Sequence, residues 1–205
     1  MGISEWLQVD VFKQQPLPSA ESLSAVVITG SPAMVSERQA WSEQTAEWLA
    51  SAVDKNIPVL GVCYGHQLLA HALGGRVDAN PKGRQIGTVK ARLINNSAQD
   101  PLIGHLPEIF TAQTSHSQVV LQPPPNAERL ATSPLDDNFA LRFAENAWGL
   151  QFHPEFSAAV MTEYIKCRSK AIRNEGLDPE KLLSEVTDTP EACTVLQKFV
   201  GLQSA

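Results

Sequence analysis

The order of apolar segments predicts an α/β domain with a largely parallel sheet in its first half. Three observations carry that expectation. Val59-Leu60-Gly61-Val62-Cys63 is a continuous apolar run of the kind found in strands covered on both faces. Leu68, Leu69, Ala72 and Leu73 then continue as a helix that Gly74-Gly75 stops. From Ile86 onward short strand-like runs replace the alternation, joined by turn-rich links such as Pro123-Pro124-Pro125-Asn126.

Taken in order, Val9 to Phe12 reads as a short strand, and Ala25 to Thr29 as a second, richer in β-branched residues and ended by Gly30-Ser31-Pro32. Between Glu37 and Val53, Trp41, Thr45, Trp48, Leu49 and Ala52 recur at helical spacing, and Asn56 and Pro58 break the pattern. After the Val59–Cys63 strand and its helix come strand candidates at Ile86 to Lys90, Ile109 to Ala112, Val119 to Gln122, Phe139 to Phe143 and Trp148 to Phe152. These predict a meander packed against the parallel core. Phe156 to Arg173 reads as a helix, and Glu191 to Val200 as a final one after Pro190. No internal repeat, low-complexity tract or linker divides the 205 residues, so one domain over 1–205 is expected.

Composition narrows the function classes. With 43% apolar and 19% charged residues the chain is ordinary for a folded globular protein. A net charge of -6 without a Lys/Arg run gives no footprint for a phosphate backbone, which argues against a nucleic-acid partner. No apolar stretch approaches membrane-spanning length, and Met1-Gly2-Ile3-Ser4-Glu5-Trp6 lacks the regions of a signal peptide, so a cytoplasmic protein away from the membrane is expected. Cys63, Cys167 and Cys193 form an odd set with no C-x-x-C spacing, which points to free thiols and to neither a disulfide framework nor a metal site.

Cys63 is the residue around which the chemistry gathers. It stands where the apolar strand gives way to a helix, and G-x-C-x-G is the thiol form of a nucleophile elbow. Unsatisfied N–H groups at the first helical turn favour a thiolate there. A buried apolar cysteine ending a core strand would read the same way in isolation. A thiol nucleophile needs a base, and the base works best when a third group orients it. Gln151-Phe152-His153-Pro154-Glu155 supplies both, since in an extended segment His153 and Glu155 point to the same side and Pro154 restrains the backbone between them. Of the other histidines, His66 on the elbow helix is assigned to packing or substrate shape, His71 to a structural or partly exposed place and His105 to the surface; His116 is kept as an accessory. Trp41, Trp48 and Trp148 are assigned to the core.

Together, Gly61-Val62-Cys63-Tyr64-Gly65-His66-Gln67 and Gln151-Phe152-His153-Pro154-Glu155 resemble the two signature motifs of the class I, or triad, glutamine amidotransferases. The resemblance is greatest to stand-alone members similar to the glutaminase domain of GMP synthase. Val27 to Pro32, His66 to Gly75 and Thr114-Ser115-His116-Ser117 support it, so it spans a core of about 6–164 and leaves a C-terminal helical extension of about 165–205. It implies a three-layer flavodoxin-like fold with a mixed, mainly parallel central sheet. It also implies hydrolysis of the L-glutamine side-chain amide through a γ-glutamyl thioester on Cys63, with no cofactor. His153 would be acid and base and Glu155 its orienting carboxylate. The family pattern puts the oxyanion donors at the backbone N–H groups of Gly30 and Tyr64, and substrate binding at Gln67, Ser115 and His116.

The chain has no G-x-x-x-x-G-K-[ST] loop and little room for a synthetase domain, so an ammonia acceptor would be a synthetase acting in trans. Two other readings share the motifs: a hydrolase of γ-glutamyl peptides, and an inactive regulatory or binding domain of the same fold. One departure from the family stands out. Relatives begin with an apolar strand and a helix, whereas here Met1 to Gln8 reads as the tail of that helix. The first strand is therefore expected to be missing, with a gap left between the Val9 and Ala25 strands.

Overall fold

The computed structural model describes residues 5–202. Its first half gives β1 (Val26–Ile28), α1 (Ala40–Asp54), β2 (Val59–Val62), α2 (Tyr64–Ala72) and β3 (Arg76–Ala79), followed by the long β4 (Gln85–Leu93). Next come β5 (Ile109–His116), β6 (Gln118–Gln122), β7 (Glu128–Thr132), β8 (Ala140–Ala144) and β9 (Ala147–Leu150). Three helices end the chain: α3 (Ala158–Asn174), α4 (Pro179–Ser184) and α5 (Pro190–Leu202).

Seven of these strands make one mixed sheet in the order β1-β2-β9-β8-β7-β4-β5. The pairings β1–β2 and β2–β9 are parallel, and the remaining four are antiparallel. Parallel character is thus concentrated around the strand that carries Cys63. The strands of the second half do not pack against that core as a separate meander; they extend it edge to edge through β9. β3 and β6 pair apart from it as a two-stranded sheet. The β4–β5 ladder runs from Arg92↔Ile109 to Gln85↔His116, yet β4 meets β7 only at Arg92 and Leu93. Its far end therefore has no third strand beside it and meets the residues just after β2 and β9, through Ser115 O to Cys63 and Gln113 O to His153.

Side chains alternate across β2 as a strand covered on both faces requires. Val59 joins α1 and α2 through Leu49, Ala52, Leu68 and Leu69, whereas Leu60 and Val62 join Trp148, Leu150 and the α5 residues Val195 and Phe199. Helices thus lie on both faces, giving three layers. Full burial of a side chain such as Leu49 or Leu60 contributes about 2 kcal/mol. α3 builds a third cluster with Ile86 of β4 through Met161, Ile165 and Ile172, and α4 packs on it through Leu182 and Leu183. Ser157 caps α3 by accepting from Val160 N–H. Asp178 caps α4 ahead of Pro179, a residue suited to the first helical position. No described helix is long and apolar enough to cross a membrane.

The N-terminal expectations need correcting. Val9 to Phe12 is not a strand: a 3-10 turn spans Val11–Lys13, held by Lys13 N–H to Asp10 O and by Gln15 Oε1 accepting from Asp10 N–H. These local bonds use the groups a ladder would need. Residues 5–10 form no regular element, so no helix tail is found over 5–8, and the part of that expectation on residues 1–4 lies outside the described residues. No gap opens inside the sheet either. β1 is its edge, and β2 has strand partners on both sides. β3, β7 and α4 carry no prediction from the sequence, being short, with polar residues making up half or more of each.

Candidate active site

Cys63 sits at φ 52°, ψ -102°, a conformation that a residue with a Cβ rarely adopts. It persists because both sides are held. Cys63 N–H donates to Leu150 O at 2.7 Å, and Cys63 O accepts Gln67 N–H at 3.1 Å as α2 begins. The bend also needs its glycines. A Cβ on Gly61 would lie 2.5 Å from the Gly65 carbonyl, and one on Gly65 would lie 2.2 Å from Ile28 O. With neither Cβ present, α2 packs directly against β1 and β2.

His153 and Glu155 follow β9, the strand bonded to β2, so neighbouring strands deliver both halves of the candidate pair. His153 Nδ1 lies 2.6 Å from Glu155 Oε1. The His153 main-chain N–H donates to Gln113 O at 2.8 Å, and the Phe156 ring stacks on the imidazole with centroids 4.2 Å apart. Burial opposes a charged ring here. The side-chain interactions with Cys63 and Glu155 outweigh it and raise the His153 pKa from 6.5 to about 10. The ring is thus held toward its protonated form, with a proton available to give.

Gly30 borders both groups: a Cβ there would lie 3.0 Å from His153 Cε1 and 3.7 Å from Cys63 Cβ. Its N–H has no hydrogen-bond partner among the described residues. The Tyr64 N–H is the first of α2 and has no intrahelical acceptor. The two proposed oxyanion donors therefore flank the thiol with their N–H groups uncommitted.

The three substrate candidates also gather here, with different freedom. Ser115 O accepts from the Cys63 thiol at 3.8 Å, while its buried hydroxyl is without a partner. Gln67 Nε2 donates to Gln118 O at 2.8 Å and to Gln151 Oε1 at 2.9 Å. His116 places Nδ1 3.0 Å from Gln118 O and Nε2 3.3 Å from Gln85 Oε1, and burial lowers its pKa to about 4. Gln67 and His116 are thus tied into a buried polar layer behind the elbow, and Ser115 is the candidate with an open valence.

His66 is fully buried against Gly149 and Phe143, and burial, reinforced by His116, lowers its pKa to about 3. A neutral ring wedged between those two residues is in keeping with its assignment to packing. His71 bonds Glu43 at 2.9 Å and His105 bonds Thr194 at 2.7 Å, both away from the elbow. The sequence reading missed Gln113, Gln151 and Phe156. For Phe156 a signal existed in its place directly after His-Pro-Glu. Gln113 meets His153 through its backbone carbonyl, a contact that leaves no signature in the sequence.

The class-I glutamine amidotransferase family model matches residues 4–168. A glutamine-hydrolyzing GMP synthase of Aeropyrum pernix is 35% identical over 141 residues, which cover 69% of this chain and 25% of that protein. One subunit of the glutamine-hydrolyzing GMP synthase of Natronomonas pharaonis is 39% identical over 104 residues, 50% of this chain and 55% of the relative. The chain thus spans about a quarter of the first relative's length and about half of the second's. The crystal structure of a glutamine amidotransferase from Thermotoga maritima shares the fold, with a TM-score of 0.74 at 24% identity over 93% of this chain and 80% of that one. With that family match covering both the cysteine elbow and the His-Pro-Glu segment, the chain belongs to the class-I glutamine amidotransferases.

Proposed function

We propose that this chain hydrolyses the side-chain amide of L-glutamine, with Cys63 as nucleophile, His153 as acid and base and Glu155 as the residue that orients His153. The observation that carries the proposal is the 2.6 Å His153–Glu155 bond, set where the imidazolium adjoins a thiol held in a strained elbow. The Cys63 thiolate adds to the amide carbon. The carbonyl oxygen takes the developing charge and is met by the N–H groups of Gly30 and Tyr64, donors that typically contribute about 3 kcal/mol each. His153 gives its proton to the nitrogen, the C–N bond breaks, and ammonia leaves a γ-glutamyl thioester. Water then attacks with His153 accepting its proton, the C–S bond breaks, and glutamate leaves.

Ser115 is assigned to substrate contact through its unpartnered hydroxyl, with Gln67 and His116 supporting the site from the buried polar layer behind the elbow. A synthetase acting in trans is proposed as ammonia acceptor, since one relative is itself a subunit of a GMP synthase. The deciding measurement is ammonia and glutamate release from glutamine, and glutamate release from γ-glutamyl dipeptides, by the wild type and by Cys63→Ala. Release from glutamine that vanishes in Cys63→Ala supports the proposal. Equal rates in both proteins overturn it, and preference for the dipeptides replaces it with a γ-glutamyl hydrolase.

A further inference from the structure

We infer that Gln113 is a positioning residue for this site, anchored by a C-terminal strap that lies beyond the family match; the inference rests on the glutaminase reading above. β5 touches both members of the nucleophile pair. Gln113 O accepts His153 N–H at 2.8 Å, and two residues on, where the carbonyl faces the same way, Ser115 O accepts from the Cys63 thiol at 3.8 Å. A shift of this strand end therefore moves the acid-base group and the nucleophile relative to each other.

The strand end needs an anchor of its own. β5 is the last strand of the sheet, and the β4–β5 pair is joined to β7 only at Arg92 and Leu93, the end away from the site. The anchor is a closed ring of hydrogen bonds. Gln113 Nε2 donates to Thr187 O at 2.7 Å, Thr187 N–H donates to Thr88 Oγ1 at 3.0 Å, and Thr88 Oγ1 donates to Gln113 Oε1 at 3.1 Å. Thr88 stands directly opposite Gln113 in the β4–β5 register. Gln113 is wholly buried and both ends of its amide are matched, while its partners Thr88 and Thr187 are half-buried and exposed.

Further contacts hold the same hairpin end. Glu175 pairs with Arg84, and Leu182 lies 3.6 Å from the place a Cβ on Gly87 would take. Glu175, Leu182 and Thr187 all follow residue 168, where the family match ends. An apolar side chain at 113 would fill the space as well but would not fix the strand along its length. The buried amide does.

The test uses Thr88→Val and Gln113→Leu, each of which opens the ring, and Thr88→Ser, which keeps its hydroxyl. Two readouts are taken: kcat and KM for glutamine, and the pH profile of Cys63 alkylation by iodoacetamide, followed on the Cys63 peptide by mass spectrometry so that exposed Cys167 and Cys193 do not interfere. A misplaced His153 lowers kcat by about tenfold or more, leaves KM within about twofold, and moves the alkylation profile to higher pH; Thr88→Ser restores both. Unchanged kcat and an unchanged profile in folded Thr88→Val overturn the inference, whether or not Gln113→Leu folds. If the wild type does not hydrolyse glutamine, the glutaminase reading fails while the alkylation profile still decides the positioning role.

Discussion

Glu155 Oε1 lies 2.6 Å from His153 Nδ1, and the carboxylate that makes this contact is exposed while the imidazole it meets is buried. The pair spans the boundary of the protein. The ring is removed from water where an imidazolium is disfavoured, and the carboxylate that meets it faces solvent. This asymmetry lets one bond fix the tautomer and stabilise the charge, leaving Nε2 for Cys63.

Replacing Glu155 with Gln keeps the size of the side chain and removes its charge. The His153 pKa should then fall from about 10 toward its ordinary value, and an amide, which can donate as well as accept, no longer fixes the ring proton on Nδ1. A kcat lower by about a hundredfold or more, with KM little changed, is expected in a steady-state glutaminase assay. A loss of less than threefold would show that Glu155 is not the orienting group.

The Phe156 ring stacks on His153 at an interplanar angle of 20° and itself leans on Tyr164. A cation over an aromatic face gains about 0.5–1 kcal/mol, which is a two- to fivefold preference for the charged ring. Phe156→Leu keeps the apolar cover and removes the π face. NMR titration of the His153 ring should therefore show a lower pKa in this variant, and an unchanged titration would refute the stacking contribution.

Glycine requirements along the elbow differ sharply. Gly65→Ala would drive a methyl to 2.2 Å from Ile28 O, a backbone atom that cannot move without displacing β1, so a loss of about 3 kcal/mol or more is expected in urea unfolding. Gly74→Ala meets nothing within 4 Å, and its penalty comes only from φ +92°, about 1 kcal/mol. Equal midpoints for the two variants would rule out close approach of α2 as the reason for Gly65.

Much of the site is legible in the sequence because its parts are local. A glycine-cysteine-glycine bend and a His-Pro-Glu segment each carry their geometry within a few residues, and the β1, α1 and β2 spans fall within a few residues of their expected bounds. What escapes is non-local. Val9 to Phe12 has the apolar character of a strand but no neighbour to pair with, so the local polar bonds of Asp10 and Gln15 win. Arg76–Ala79 is a strand with one buried residue, formed because β6 passes beside it. Gln113 matters through a carbonyl and through Thr187, 74 residues away, and no pattern in the chain announces either contact.

Buried histidines give stability a defined pH dependence. His66 and His116 have folded pKa values near 3 and 4 against 6.5 unfolded, so below pH 6.5 the unfolded chain binds protons that the folded one refuses, and stability falls as pH drops toward those values. Asp136, raised by burial to about 6, binds a proton in the folded state between its ordinary 3.8 and 6, which opposes one of the two histidines over that window. His153 has the reverse sign. Its folded pKa near 10 means that its contribution is fully present below 6.5 and is lost as pH rises toward 10. The net result is a maximum near neutrality, at about pH 7, with losses on both sides. Urea midpoints between pH 4.5 and 9.5 should trace that dome, and Cys63→Ala, which removes one of the two partners that raise the His153 pKa, should flatten its alkaline side while leaving the acid side in place. An alkaline limb equally steep in both proteins would show that another group controls it.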